Sequence, residues 1–539
     1  MGVPGFFAWI LRKYKKNKII IDNNKNIETD FILFDTNCLL HPTCFKVLAM
    51  KQEMLNKSKY VDIKKLENTM MKECLNYLDS IVSYIKPKVG VYIAIDGVAP
   101  VAKIKQQRSR RFKSVSDRQL KENILKKHKK PTEYFWNNSA ITPGTDFMIR
   151  LHKMIINWIK NKKDGLKYIY SSCYEPAEGE HKLLEFIRKN RKYRYIIYGL
   201  DADLIFLSLA SNHNKIYLLR EAVHLKNDND KFVFIDIDML KVAIMETMHN
   251  YMIKDEDSNI MIELKNDIIN DFIFICYFLG NDFLPHMEAL DISKGGIDIL
   301  LKCYCNMYKE LYLNGKKPYI VLKNKICKKN LLKFIDLLYV DEKEILKLNY
   351  NKKRYYPKCD SNDSYVREMH RIDNVMFKVN DPIMVGKDNY NDYRKRYYMY
   401  HMNVEEKDLE KTVEDICMKY LQGLEWVTIY YFKGCPDWHW YYPYDYPPFL
   451  NDIKKYIKKY KLTKFNLNSP LKPYQQLLCV LPIQSKYLVP YKYRYYMHPK
   501  SKLGHLYPYR FKQDFIGKTK YWKGIPILPK LDIESVLNI

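Results

Sequence analysis

The sequence lacks the features that mark secreted, membrane-spanning and zinc-binding proteins. Its 12 cysteines are scattered, and no CxxC pair or His-rich spacing predicts a zinc site. The longest apolar run, residues 271–280, is far shorter than the roughly 20 residues that a bilayer crossing requires. In MGVPGFFAWILRKYKK the charges follow the apolar stretch, the reverse of a secretory signal. We therefore expect a reducing compartment, no export and no membrane function.

The chain also has far fewer acidic than basic residues. The chain has 91 Lys and Arg against 62 Asp and Glu, which gives a net charge of +29 over 539 residues. Because an A+T-rich coding sequence also enriches Lys, Asn, Ile and Tyr, the sign of this charge carries more weight than its size. A basic balance of this kind is typical of proteins that bind a polyphosphate, with nucleic acid as the first candidate.

The chain divides into three segments by its patterning. Over residues 1–305, short apolar runs alternate with amphipathic stretches such as 66–85 and 181–189, which predicts βαβ units around a parallel sheet. Residues 306–388 are rich in Lys and Asn, with few apolar anchors, and we expect a linker or surface excursion there. Over residues 389–539 a helical pattern at 405–424 precedes the block WVTIYYFKGCPDWHWYYPYDYPPF.

Carboxylates follow the apolar runs of the first segment. A continuous run of Val, Ile, Phe and Tyr predicts a strand buried on both faces, and ligands of parallel sheets gather at the carboxyl ends of the strands. Two further acids precede the amphipathic stretch HKLLEFIRKN, in what we expect to be the first turn of a helix. Asp201 and Asp203 would point to the same side if the extended geometry persists. The acids are Asp35 after FILF, Asp96 after YIAI, Glu178 and Glu180, Asp201 and Asp203 after YIIYGL, and Asp282 after FIFICYFLGN.

Seven carboxylates in one pocket require compensating cations. Two carboxylates about 4 Å apart repel by roughly 4 kcal/mol at an effective dielectric constant of 20. All-oxygen ligands suit Mg²⁺ or Mn²⁺, and two such ions would clamp the attacking and leaving oxygens of a phosphodiester. For any single acid, a helix cap or a solvated strand end is an equally good interpretation. Taken jointly, the seven acids favour metal-assisted phosphodiester hydrolysis.

A basic helix is predicted directly after Asp96. Lys103, Gln107, Arg110 and Arg111 recur there at i, i+4, i+7 and i+8, which places them within an arc of about 100° on one helix face. Such a face would accept a terminal phosphate, although a solvated cationic helix is the alternative interpretation.

Three aromatic residues are candidates for stacking on bases. They are His41, Trp438 and Trp440. A tryptophan considered alone is more often part of a core.

These motifs together resemble the Xrn family of 5′-to-3′ exoribonucleases. The match over residues 1 to about 300 comprises MGVPGFF, AIDGVAPVAKIKQQRSRRFK, ITPGTDFM, EPAEGEHKLLEFIR, YGLDADLIFLSLA, LLRE and FLGNDFLPH, in the order of the family. A second set over about 390–530 comprises YRKRYY, GLEWVTIYYFKGCPDWHWYYPYDYPPF, PLKPYQQLLCVLP and YWKGIPILP.

The resemblance implies a fold, a site and an activity. The implied fold is an α/β nuclease core of the PIN/FEN type, with a mostly parallel central sheet flanked by helices and a second aromatic-rich region around the active site. The seven acids would bind two Mg²⁺ ions, with Mn²⁺ as a possible substitute. Lys103, Gln107, Arg110 and Arg111 would bind a 5′ monophosphate, and His41 and Trp440, chosen over Trp438, would stack on bases. The substrate would be single-stranded RNA, degraded processively to nucleoside 5′-monophosphates by a monomer.

The chain also departs from the family. It is short, with a compressed middle segment, without a zinc knuckle and without the long C-terminal extension of the cytoplasmic members. Where the family has EPGEGEHK, Ala177 replaces the glycine, and DYPP replaces HYAP at 445–448. Two alternatives stay open, namely a flap-type DNA nuclease and a catalytically inactive RNA-binding scaffold. We expect the cytoplasm as the compartment, with the nucleus or a viral compartment as alternatives.

Overall fold

The first half of the chain is built on a mostly parallel sheet. The structure is a computed structural model that describes residues 5–17, 19–21, 27–58, 60–221, 232–253, 266–352 and 355–539. The strands of the sheet are β1 (Ile20–Ile21), β2 (Phe31–Asp35), β3 (Gly90–Ala94), β4 (Lys167–Ser171), β5 (Tyr195–Tyr198), β6 (Ile216–Glu221) and β7 (Phe232–Asp236). Strands β6, β5, β2, β3 and β4 lie in that order and run parallel. At one edge β7 pairs antiparallel with β6, and β1 pairs antiparallel with β7. The predicted fold class is confirmed.

Helices cover the sheet and build the second half. The first-half helices are α1 (Phe6–Lys13), α2 (Thr36–Lys57), α3 (Ile63–Ile85), α4 (Val101–Lys127), α5 (Asp146–Lys160), α6 (Gly179–Lys189), α7 (Asp203–Ala210), α8 (Ile237–Met252) and α9 (Asn266–Cys276). The later helices are α10 (Gly296–Leu313), α11 (Lys328–Leu338), α12 (Glu342–Asn351), α13 (Ser364–Asp373), α14 (Tyr390–Met402), α15 (Leu409–Phe432), α16 (Leu450–Tyr456), α17 (Pro473–Val480) and α18 (Ile533–Leu537). Two short hairpins are formed by β8 (Val321–Leu322) with β9 (Lys325–Ile326) and by β10 (Gln513–Asp514) with β11 (Ile525–Pro526).

The two faces of the sheet pack into separate cores. Strand β2 is buried along its whole length because its alternate residues face opposite layers. Phe31 and Leu33 join a core that continues through α6 to α10 into α15, where it includes Trp426. Ile32 and Phe34 pack against α2, α3 and α5 on the other face. The α/β half and the aromatic half therefore share one core. In the described part of the chain, no helix combines the length and apolar character that a membrane crossing requires.

The apolar run before Asp282 is a helix, and its prediction as a strand is wrong. Residues 266–276 form α9, a short 3-10 turn follows at Tyr277–Leu279, and every residue of 268–279 is buried. A run of this length exceeds a typical strand, and a helix that is apolar on all sides is expected in the middle of a large core. Asp282 nevertheless lies just beyond the end of a core element, as expected.

The extended geometry on which the same-side prediction for Asp201 and Asp203 depended does not persist. Strand β5 ends at Tyr198, so Asp201 lies in the following loop and is exposed, while Asp203 begins α7 and is buried. Gly199, the first residue after β5, is packed tightly against α7, since a Cβ at this position would lie 2.0 Å from Leu204 Cδ1. The two acids therefore reach the same region from a loop and from a helix start.

The segment predicted as a linker contains packed helices. Leu331, Phe334, Ile335 and Leu338 of α11 are buried in the core shared by the two halves. Four apolar side chains on one face are enough to anchor a short helix, and the surrounding Lys and Asn residues hide this pattern in the sequence. The boundaries at 305 and 388 stay predictions.

Candidate active site

The carboxyl ends of the central strands bring the first acids together. Asp35 is the last residue of β2, and Asp96 follows β3 by two residues. The start of α6 lies between them, since a Cβ on Gly179 would be 2.9 Å from Asp35 Oδ1 and 3.3 Å from Asp96 Oδ1. The Gly179 N–H donates to Asp96 Oδ1 at 2.6 Å. A glycine is therefore required at this position by the close approach of the two carboxylates.

The remaining acids surround this pair. One group joins Asp201 to Asp35 and Cys38, whose possible ligand atoms all lie within 4.8 Å of one another. A second group joins Glu178, Glu180 and His181, whose possible ligand atoms lie within the same distance. Glu178 is the N-cap residue of α6 and Glu180 lies in its first turn, which confirms that part of the prediction.

The acids also influence one another electrostatically. The charges of Asp282 and Asp201 raise the pKa of Asp203, and the charge of Asp203 raises the pKa of Glu180. The seven predicted acids thus form one cluster, called the acid cluster below.

One lysine bridges two members of the acid cluster. Lys103 Nζ donates to Asp282 Oδ2 at 2.7 Å and pairs with Glu178 Oε2. Although burial opposes charge, the two carboxylates keep the pKa of Lys103 well above its usual value. Burial would also raise the pKa of Asp282, but the Lys103 ammonium holds it below its usual range. Lys103 therefore faces the acids, whereas sequence periodicity grouped it with the phosphate-binding face.

At four of the acids, burial outweighs the attraction of Lys103. Burial, with repulsion from Asp96, raises the pKa of Asp35 to about 8. Burial, with repulsion from Asp282, raises the pKa of Asp203 to about 7. Burial likewise raises the pKa of Glu178 and Glu180. Clustered carboxylates that resist ionisation, with only oxygen atoms to offer, fit a hard divalent cation, which would replace the missing positive charge.

Helix α4 continues from Lys103 to the other three predicted phosphate-binding residues, Gln107, Arg110 and Arg111. Gln107 is buried, and its Oε1 has no partner among the described residues. Arg111 donates through Nη2 to Thr142 Oγ1 at 2.9 Å, while its buried Nη1 likewise lacks a partner there. Burial and the neighbouring Arg110 lower the pKa of Arg111 to about 9. A buried donor without a partner is costly, so Arg111 Nη1 suits an anion that would accept its hydrogen bond. Gln107 could donate to the same anion through its amide nitrogen, since its Oε1 is an acceptor.

His41 lies near Arg110 and Arg111 of this face, and its predicted role in base stacking stays a prediction. It is in the second turn of α2, and burial together with the charges of Arg110 and Arg111 lowers its pKa to about 4. The imidazole is therefore neutral at physiological pH. A neutral ring next to two guanidinium groups is suited to stacking on a base.

The tryptophan candidates differ in exposure. Trp440 is 9% exposed and stacks on Trp426 with ring centroids 5.3 Å apart. Trp438 is more exposed, and its carbonyl oxygen accepts the Val101 N–H at the start of α4. The assignment of Trp440 as the base-stacking residue stays a prediction.

Comparison with known proteins identifies the family. The model described as "XRN 5'-3' exonuclease N-terminus" matches residues 1–222, and the one described as "Xrn1 helical domain" matches 263–390 and 379–539, more than half of the chain. The chain belongs to the Xrn family of 5′–3′ exoribonucleases. Among Xrn relatives, 5'-3' exoribonuclease 2 of Debaryomyces hansenii is 28% identical over all of this chain and 69% of its own length. The human 5'-3' exoribonuclease 1 is 30% identical over all of this chain but only 34% of its own.

Similarity to solved structures is much weaker. A chain titled "The catalytic core of Rad2 in complex with DNA substrate (complex IV)" aligns with 58% of this chain and 74% of its own, at 14% identity and a TM-score of 0.30. A TM-score this low supports no conclusion about the Xrn protein.

Several side chains that orient the acids in this Xrn protein were missed by sequence analysis. Asn37 donates to Asp96 Oδ2 at 2.7 Å, and its position two residues after Asp35 was an available signal. The Tyr430 hydroxyl on α15 donates to Glu178 Oε1 at 3.0 Å, and its ring stacks on His181 at 3.7 Å. No local pattern could reveal Tyr430, because it reaches the acid cluster from the second half of the chain.

Proposed function

We propose that the protein is a metal-dependent, processive 5′-to-3′ exoribonuclease acting on single-stranded RNA with a 5′ monophosphate. The observation that carries this proposal is the course of α4, which contacts the acid cluster through Lys103 and presents Gln107 and Arg111 one and two turns later. Because one rigid helix carries both groups, the distance from a bound 5′ phosphate to the cut is fixed. This supports release of one nucleoside 5′-monophosphate at a time.

The acid cluster fits the hard divalent cations that such hydrolysis requires. We propose two Mg²⁺ ions, with Mn²⁺ able to substitute. When bound, ions of this kind activate the attacking water and neutralise charge on the leaving oxygen. The residues that would hold them are Asp35, Asp96, Glu178, Glu180, Asp201, Asp203 and Asp282.

The remaining steps belong to side chains of α4 and α2. Arg111 Nη1 and the Gln107 amide would bind the oxygens of the 5′ phosphate in a buried pocket, where a charge-assisted hydrogen bond is strong. Arg110, at the exposed edge of this face, would add positive charge. Neutral His41 would stack on a base of the first nucleotides and orient the strand. A pocket sized for one phosphate would reject a capped or triphosphorylated end.

The test uses RNAs that differ only at the 5′ end. We expect the protein to digest a 5′-monophosphorylated RNA with Mg²⁺ and to digest the triphosphorylated and hydroxyl forms much more slowly. Arg111→Met should remove this preference, while Arg118→Met, on the same helix but packed over Phe135 at 3.9 Å, should preserve it. Equal rates on all three RNAs would overturn the phosphate pocket. Faster cleavage of a DNA flap would favour the flap-type alternative.

Two further parts of the proposal concern assembly and compartment. We propose that the protein acts as a monomer, which light scattering of the purified chain would check. We propose the cytoplasm as its compartment, supported by 12 cysteines that are all free of disulfide bonds. Free buried thiols are typical of a reducing environment.

A further inference from the structure

One long stretch of the chain contains no acidic residue at all. Between Asp452 and Asp514, 61 residues carry 14 Lys and Arg and 10 Tyr but no Asp or Glu. All 62 acidic residues of the chain lie outside this stretch. A solvated surface normally mixes both signs of charge, so a stretch of one sign indicates a partner of the opposite sign.

The second half of this stretch forms a rigid surface of exposed tyrosines. Two 3-10 helices, Ile483–Leu488 and Tyr491–Met497, are anchored by residues buried in a core with α4 and α17. Three rings on these helices are exposed, and a fourth belongs to Tyr509, whose carbonyl oxygen accepts a hydrogen bond from Gln484 Nε2 at 3.4 Å. The four exposures range from 52% to 85%. We call this surface the tyrosine–lysine face, defined by Tyr487, Tyr491, Tyr495, Tyr509, Lys486 and Lys492.

The cations of the face are not neutralised by the protein. Lys486 and Lys492 are exposed and form no ion pair with any of the residues that the structure describes. Lys492 Nζ lies 4.7 Å from the Tyr493 ring, and Arg494 is held against the backbone by bonds of 2.8 Å to Val489 O and 2.7 Å to Tyr487 O. Large exposed rings between unpaired cations bind polymers that offer both phosphates and stackable bases.

We propose that the tyrosine–lysine face binds single-stranded RNA outside the active site. The face and the phosphate-binding residues are tied to the same loop: Ser485 accepts a hydrogen bond from Asn137 at 2.9 Å, and Thr142 accepts one from Arg111 at 2.9 Å. An RNA whose 5′ end lies at Arg111 therefore has this face within reach of its downstream nucleotides. The inference rests on the proposed function for the identity of the strand.

The test measures binding without turnover. The variant Tyr491→Ala/Lys492→Ala/Tyr495→Ala would be compared with the unaltered protein by fluorescence anisotropy in EDTA, with 5′-monophosphorylated RNAs of 5 and 30 nucleotides. We expect the Kd of the 30-mer to rise at least about tenfold, because each stacked base contributes a factor of several. The slope of log Kd against the logarithm of the salt concentration should also fall by about 0.7, because one lysine is lost. The 5-mer should bind as before, since it is confined to the active site.

The control removes one group of each kind, a tyrosine ring and a lysine, elsewhere on the surface. Tyr60→Ala/Lys64→Ala deletes an 83% exposed ring and a nearby exposed lysine on α3, and should leave both affinities unchanged. An unchanged 30-mer affinity in the test variant, or equal weakening of both RNAs, would overturn the proposal. So would equally strong binding of a duplex, which hides its bases. If the protein bound RNA in this way but digested none, the proposed function would fail while this inference would stand.

Discussion

Ala177 occupies a backbone conformation that L-residues avoid, and glycine at this position should stabilise the protein. Its φ is 96°, and it directly precedes Glu178 of the acid cluster. Two backbone hydrogen bonds of 2.9 Å hold it there: the Ala177 N–H donates to Val98 O, and the Gly97 N–H donates to Ala177 O. The backbone therefore cannot relax without displacing Glu178.

The size of the effect follows from two opposing terms. An alanine in the left-handed region destabilises the folded state by about 1–2 kcal/mol, and glycine removes this strain. The greater entropy of glycine in the unfolded chain lowers the stability of the variant by about 0.5–1 kcal/mol. Ala177→Gly should therefore raise the free energy of unfolding by about 0.5–1 kcal/mol. In a chain of 539 residues, with an unfolding entropy of roughly 2.1 cal/mol/K per residue, that corresponds to a rise in Tm of about 0.5–1 °C by calorimetry. RNA turnover should not change, because the backbone hydrogen bonds are preserved.

A second alanine provides the control. Ala243 is buried in the middle of α8, so Ala243→Gly removes the same methyl group from a right-handed helix. That variant should lose about 0.5–1 kcal/mol. If Ala177→Gly lowered Tm as Ala243→Gly does, the reasoning from backbone strain would be refuted.

Two other predictions concern the acid cluster. Tyr430→Phe removes a donor to the Glu178 carboxylate, a bond worth about 1.5–3 kcal/mol, so the Mg²⁺ concentration for half-maximal turnover should rise about tenfold or more. Tyr420→Phe, on the same helix but bonded to Pro285 O, should leave it unchanged. In EDTA, the raised pKa values of Asp35 and Asp203 mean that the folded protein holds protons that the unfolded chain has lost. Their contribution to stability should therefore fall as pH rises from about 4 to about 8. The gain in Tm on adding Mg²⁺ should be larger at pH 8 than at pH 6. An equal gain at the two pH values would contradict this prediction.

The sequence predicts the acids better than it predicts their surroundings. Asp35 is predictable because β2 is short, apolar and ends on the acid itself, and Glu180 because helix starts favour negative charge. The helical form of α9 is not predictable from the sequence, because a buried helix and a buried strand have the same apolar composition. The contacts of Lys103 with Asp282 and of Tyr430 with Glu178 join distant parts of the chain. Local periodicity carries no information on such pairs.

The central claim is that the acid cluster performs the cleavage. The most direct measurement is the digestion of a 3′-labelled, 5′-monophosphorylated RNA by the Asp201→Asn/Asp203→Asn variant in Mg²⁺, with RNA binding measured in parallel. The two substitutions keep the side-chain shape and remove two negative charges. The account predicts no measurable turnover with RNA affinity retained or increased, because repulsion of the phosphates is reduced. Turnover at the rate of the unaltered protein would contradict it.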